Sequence, residues 1–150
     1  MNVYVASSWR NVIQPGIVHI LRRCGLEAYD FRNPSPNDDG FRWSEIDPEW
    51  QFWSPEQYRV ALDHPIALRG FGLDFSAMRA ADACVLVLPA GRSASIEAGY
   101  FVGAGKPLHV LLSPGIEPEL MFRMALESGG LITGDIWEIV EALGGKEPPA

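Results

Sequence analysis

Cysteine is scarce in this chain: Cys24 and Cys84 are the whole supply, and no metal or redox motif has their spacing. Each lies in an apolar segment, which predicts buried thiols. A Gly-x-Gly-x-x-Gly turn and a Walker lysine loop are both missing, and no cluster of residues has metal-ligand spacing. No cofactor and no metal is therefore expected. The three histidines, His19, His64 and His109, are scattered, and a structural role is the default for each. Positive charge is in deficit, with 12 Lys and Arg against 19 Asp and Glu and a net charge of −7. That argues against long nucleic acid as a partner, because its phosphates call for a basic surface. A small anion still fits, since local cationic groups can serve one phosphate. Long apolar runs are absent too. None approaches the ~20 residues of a membrane span, and Met1 leads directly into a strand-like segment rather than a basic and then apolar leader. The expected setting is cytoplasmic, with no membrane partner.

What is present is ordinary globular material. The chain has 150 residues, 47% apolar and 21% charged, enough for one domain with a single sizeable core. Asn2 to Ala6 reads as a short apolar strand. A helix follows, with apolar residues at Ile13, Ile17, Ile20, Leu21 and Cys24, an early Pro15 and a closing Gly25. Leu26 to Asp30 completes a β-α-β opening. Ser54-Pro-Glu-Gln57 starts a helix with Ser as N-cap, Pro at N1 and Gln at N3, and that helix ends before Pro65. A second helix covers about Ile66 to Ala80 and sets Asp74 near its apolar face, where a carboxylate needs a partner or a task. Strands at Asp82–Leu88 and Pro107–Leu112 follow, then a short helix over Glu119–Ser128 and an edge strand at Leu131–Thr133. Asp135 caps a last helix through Leu143, and Gly144 to Ala150 reads as a tail. Repeated β-α units with short connections predict an α/β fold, a doubly wound parallel sheet of about five strands with helices on both faces.

Between residues 31 and 53 that pattern fails. Asn33-Pro-Ser-Pro-Asn-Asp-Asp-Gly40 is loop chemistry, and Phe41, Trp43, Trp50, Phe52 and Trp53 follow it in a polar stretch. Such a loop closes over an aromatic ligand, packs on a partner chain or plugs the domain's own core.

The candidate chemistry lies between Leu88 and Pro107. Cys84-Val-Leu-Val-Leu88 reads as a buried strand. Pro89 and Gly91 break it, Ser93 or Ser95 caps a helix running to about Ala104, and Gly105 and Pro107 stop that helix. Glu97 then sits in the first turn, just past the carboxyl end of a buried strand, where open α/β sheets bind their ligands. The helix dipole favours an ionised carboxylate there, which suits a nucleophile or general base. A first-turn Glu also serves as half of a capping box, but no Ser-x-x-Glu is in register with Glu97. Arg92, Ser93, Ser95 and the free N–H groups of that helix form an anion-binding group, or Arg92 is simply solvated.

Three blocks, spanning Met1 to about Met121, resemble the nucleoside 2-deoxyribosyltransferase family and its nucleotide N-glycosidase relatives. They are Val3-Tyr-Val-Ala-Ser-Ser-Trp9, Asp74 with Asp82 and its apolar strand, and Glu97-Ala-Gly-Tyr100 with Gly105-Lys-Pro107. The resemblance implies a flavodoxin-like sheet and a retaining double displacement, in which Glu97 attacks C1′ of the sugar and a covalent glycosyl-enzyme passes to water or to another base. It implies that Asp74 orients Glu97 or handles the base proton. Tyr4 fixes the carboxylate or packs in the core, Trp9 walls the base or packs, and Ser7 in the same turn touches the substrate. Family sites are completed across subunits, so a homo-oligomer is expected. Two positions depart from the pattern. The transferases carry an Asp six residues before the nucleophile, where Gly91 stands here. They also borrow an Asn from a neighbouring subunit, where Glu119 stands here ahead of Leu120 and Met121. Gly91 beside Arg92 and Ser93 relieves charge repulsion against a 5′-phosphate, whereas Glu119 opposes a phosphate if it reaches the pocket. The substrate, nucleoside or nucleoside 5′-monophosphate, stays open. Two other readings are a TIR-like NAD glycohydrolase, marked by nicotinamide release, and a non-catalytic nucleotide-binding or interaction domain, marked by binding without turnover.

Overall fold

Five strands form the sheet: β1 (Asn2–Ala6), β2 (Glu27–Tyr29), β3 (Ala83–Val87), β4 (Leu108–Leu111) and β5 (Ile132–Thr133). They come from a computed structural model that describes residues 1–148. The order is β2-β1-β3-β4-β5 and every pairing is parallel. This is the flavodoxin-like order, whose direction of winding reverses between β1 and β3. β3 is apolar and buried at all five positions, as a central strand covered on both faces must be.

The period-2 alternation of side chains sorts the two faces. Val3, Val5, Val85, Val87 and Leu111 pack with Ile17, Val18 and Leu21 of α1 (Gln14–Arg23) and with Ile139 and Val140 of α6 (Ile136–Ala142). The register sets Tyr4 beside Cys84, Ala6 beside Leu86 and Cys84 beside Leu108, so these residues face the other way. There α4 (Arg92–Gly103) lays down a buried ridge of Ala94, Ala98 and Phe101, and the Phe101 ring lies 5.7 Å from that of Tyr4. α5 (Arg123–Glu127) packs on β4. Helices therefore cover both faces.

The punctuation of the sequence operates as expected at several helix ends. Gly105, at φ +71°, closes α4 in the left-handed conformation. Its N–H donates to Val102 O, and the Lys106 N–H donates to Phe101 O, the paired bonds that satisfy the last carbonyls of a helix. Asp135 caps α6 by accepting from Trp137 N–H at 2.9 Å. Glu119–Ser128 is less regular than a single short helix: a 3-10 turn at Leu120–Phe122 precedes α5. The segment after α6 is tied down as far as Lys146, whose N–H donates to Cys24 O at 3.0 Å; the last two residues of the expected tail, 149 and 150, lie outside the described residues. Both cysteines are buried and unbridged.

The chain packs as two units. One comprises residues 1–30 with the chain from Ala80 onward, and carries the sheet; the other is residues 31–79, the connection from β2 to β3. The second unit holds α2 (Pro55–Ala61) and α3 (Pro65–Ala80). Ser54 and Gln57 close the capping box of α2, with Gln57 N–H to Ser54 Oγ at 3.2 Å and Ser54 N–H to Gln57 Oε1 at 2.8 Å. The stretch 31–53 has two 3-10 turns, Trp43–Glu45 and Trp50–Phe52. Trp43 packs edge-on against Phe41, Trp53 and Tyr58 of its own unit, with centroids 4.7 to 5.7 Å apart. Trp53 Nε1 donates to Asp47 at 2.7 Å. Among the described residues no helix is long and apolar enough to cross a membrane.

Candidate functional site

β1 and β3 lie side by side where the winding reverses, and each ends in a loop. The two loops are tied together by side chains. Ser7 Oγ donates to Val87 O at 2.8 Å. Asn11 Nδ2 donates to both Val87 O (3.2 Å) and Pro89 O (3.1 Å), while its Oδ1 accepts from Ile13 N–H at 3.0 Å. From the β4 side, Ser113 Oγ donates to Leu88 O at 2.8 Å. The Leu88-Pro89 peptide is cis. Ser7, expected to touch substrate, thus has its hydroxyl hydrogen committed to the rim and keeps only acceptor capacity. Asn11 was not expected at all. Its sequence signal, an Asn two residues before the N-cap Ile13 of a helix, announces the turn it makes with Ile13 but not the bonds to the rim.

The start of α4 differs from expectation. Neither Ser93 nor Ser95 is its cap; Gly91 is, in extended conformation and without a side-chain bond. Ser93 lies inside the helix, and the Ser95 hydroxyl turns back onto Gly91 O at 3.3 Å, the inward bond that serine makes inside helices. Glu97 therefore lies in the second turn, not the first. The helix field fades within one turn, so the helix end favours the ionised Glu97 carboxylate less than a first-turn position would.

Glu97 is half-buried and flanks the Ala94–Ala98–Phe101 ridge. The Cys84 thiol below is pushed strongly up, first by burial and then by the negative charge of Glu97. The carboxylate is thus within electrostatic reach of the residue that pairs with Tyr4. Tyr4 is wholly buried, its ring stacked on Tyr29 at 5.4 Å. Tyr4 and Glu97 consequently share the α4 side of the β1–β3 pair. Gly91, Arg92 and Ser93 are exposed beside the rim, and Trp9 is 41% exposed in the loop after β1.

The other flank of α4 borders a cleft of about 520 Å³. Ser95, Ala98, Gly99 and Val102 line one side and Glu117, Glu119, Met121 and Met124 line another, with Leu86 and Leu108 also contributing. Ser95, Glu119 and Met121 are therefore brought together, whereas Glu97 does not line this cleft. Asp74 belongs to the 31–79 unit. There it is half-buried and lines a cleft of about 150 Å³ with Phe31, Phe41 and Arg69. Arg69 pairs with Asp38 at 2.8 Å. The Gly40 N–H and then Arg69 hold the Asp38 carboxyl below its usual range. Asp82 has a structural bond: its carboxylate accepts from Asn2 N–H at 2.8 Å. Among the described residues no three His, Cys, Asp or Glu side chains gather as metal ligands.

No protein-family model and no curated protein matches the sequence. Solved structures do match in fold. A 2-deoxyribosyltransferase from Bacillus psychrosaccharolyticus is 20% identical, with a TM-score of 0.55 over 99% of this chain and 98% of that one. The Clostridium botulinum CMP N-glycosidase BcmB is 17% identical, with a TM-score of 0.50 over 95% and 96%. A conserved protein from Enterococcus faecalis V583 is 13% identical, with a TM-score of 0.54 over 95% and 96%. The five-stranded parallel architecture of this chain is thus the fold found in a 2-deoxyribosyltransferase and in a CMP N-glycosidase.

Proposed function

We propose that this protein is an enzyme of the nucleoside 2-deoxyribosyltransferase kind, cleaving or transferring the N-glycosidic bond of a nucleoside or nucleoside 5′-monophosphate with Glu97 as nucleophile. The observation that carries the reading is a half-buried carboxylate on α4, on the same side of the sheet as the buried Tyr4, at the pair of strands where the winding reverses. The fold shared with an N-glycosidase and a deoxyribosyltransferase supports it. In the first step a Glu97 oxygen forms a bond to C1′ as the C1′–N bond breaks, and the electron pair leaves with the base, which takes up a proton. Asp74 is the proposed handler of that proton. In the second step water or another base attacks C1′, loses a proton and frees the carboxylate, so that two inversions give net retention. Trp9 walls the base in this reading, together with Met121 of a second copy of the chain, Tyr4 fixes the nucleophile, and Arg92 and Ser93 take the 5′ end of the substrate.

The test is release of free base from a panel of nucleosides, nucleoside 5′-monophosphates and NAD. Glu97→Ala should lower release by about a thousandfold or more, and release surviving that change removes Glu97 from its role. Nicotinamide as the sole product would favour the NAD glycohydrolase instead. With methanol as acceptor, retained configuration at C1′ by NMR tests the double displacement. A homo-oligomer completes the proposal, in which exposed Leu120 and Met121 meet a second copy of the chain.

A further inference from the structure

We propose that Asn11 is a positioning residue for Glu97: it locks the end of β3 to the loop after β1 and thereby sets where α4 begins. The inference rests on the N-glycoside reading and extends it to a residue that touches no reacting atom.

Three observations carry it. Asn11 is 3% exposed, and its three hydrogen bonds given above all go to backbone: Val87 O, Pro89 O and Ile13 N–H. A primary amide with both hydrogens and its oxygen engaged has one orientation, so one side chain spans the carbonyls on either side of residue 88. Second, the carbonyls it holds belong to a segment leaving the sheet. β3 pairs with β4 as far as Val87 and Leu111, Leu88 N–H still donates to Leu111 O, and Pro89 has no N–H to give. Beyond that point ladder bonds run out and side chains must supply the donors; Ser7 and Ser113 give one each. Third, Gly91, the N-cap of α4, follows Pro89 by two residues, and Glu97 rides on that helix. A shift at the rim therefore moves the carboxylate with it, and a misplacement of about 1 Å in a reacting group can cost about 100-fold in rate.

Asn11→Asp separates this role from plain structural support. It keeps the oxygen that accepts from Ile13 N–H but turns a second oxygen toward two carbonyl oxygens. At pH 8 kcat for base release should fall about 100-fold with KM little changed. The loss should shrink as pH falls, because the introduced carboxyl is raised by burial and, once protonated, donates to one carbonyl again. Asn11→Ser, with a single donor, should lie between. Hydrogen exchange gives a readout independent of turnover: the Leu88 and Ser95 amides should exchange about tenfold faster in Asn11→Asp, with the amides of β1 and α6 unchanged. Wild-type kcat in Asn11→Asp, an equal loss at every pH, or uniformly faster exchange along the chain would overturn the proposal. If the wild-type protein releases no base from any substrate, the N-glycoside reading is what fails; faster exchange confined to Leu88 and Ser95 then still supports the hold on the rim, and unchanged or uniform exchange overturns it.

Discussion

Gly91 is glycine without steric need. Its φ is −89°, and a Cβ built there meets nothing within 4 Å. Gly91→Asp should therefore fold normally, since Asp and Gly differ as N-caps by only a few tenths of a kcal/mol. If the substrate carries a 5′-phosphate, the new carboxylate beside Arg92 should lower its turnover about tenfold or more by charge repulsion, while turnover of the unphosphorylated nucleoside holds; steady-state kinetics on the pair reads this. His109 makes a second residue-scale prediction. It is buried on β4, its Nδ1 has no hydrogen-bond partner among the described residues, and burial lowers its pKa from the ordinary 6.5. The unfolded chain then binds the proton more readily than the folded one, so the stability His109 contributes is present above pH 6.5 and lost as pH falls below it. Thermal midpoints should drop between pH 7 and pH 5, and His109→Phe should flatten that part of the profile. The residue types themselves were legible: a carboxylate after a central strand, a Tyr in the first strand and two apolar-flanked thiols. The site-forming bonds of Asn11 were not, because their partners lie 76 and 78 residues along the chain.

At the scale of elements, local signals succeeded wherever the determining contact was local. The Ser54–Gln57 box joins residues three apart, and Ser54→Ala should cost about 1 kcal/mol in chemical denaturation. Gly105 ends α4 through bonds to its own last turn. The start of α4 was misread because two serines of good capping type lie just past the true cap. The true cap follows closely on the end of β3, and that end is held by Ser7 and Asn11 from the loop after β1 and by Ser113 from the loop after β4. Gly130 is a further case of tertiary demand: a Cβ there would overlap the Leu108 carbonyl oxygen, which is backbone and cannot swing aside. Gly130→Ala should destabilise by about 3 kcal/mol or more, read by the same denaturation.

For the molecule as a whole, surface composition drives the expectations. Ile96, Leu120 and Met121 are 75%, 86% and 66% exposed, apolar groups that the proposed second copy would cover. Sedimentation should therefore give a dimer or higher species, and Leu120→Lys should shift it toward monomer. A strictly monomeric wild-type mass would count against a site completed by a second copy. With a net charge of −7, the protein should show no salt-sensitive retention of duplex DNA at physiological ionic strength.

Hydrophobic period, turn residues and caps act over a few positions, so the sequence by itself determined the strands, the helices, their parallel winding and the presence of an acid on the helix after β3. Only the tertiary structure decided that Glu97 sits in the second turn rather than the first, that Ser95, Glu119 and Met121 share a cleft without it, and that Asp74 belongs to a different packing unit. Each of these depends on which distant segments meet, and residues far apart in the chain carry no local mark of the partner that will find them.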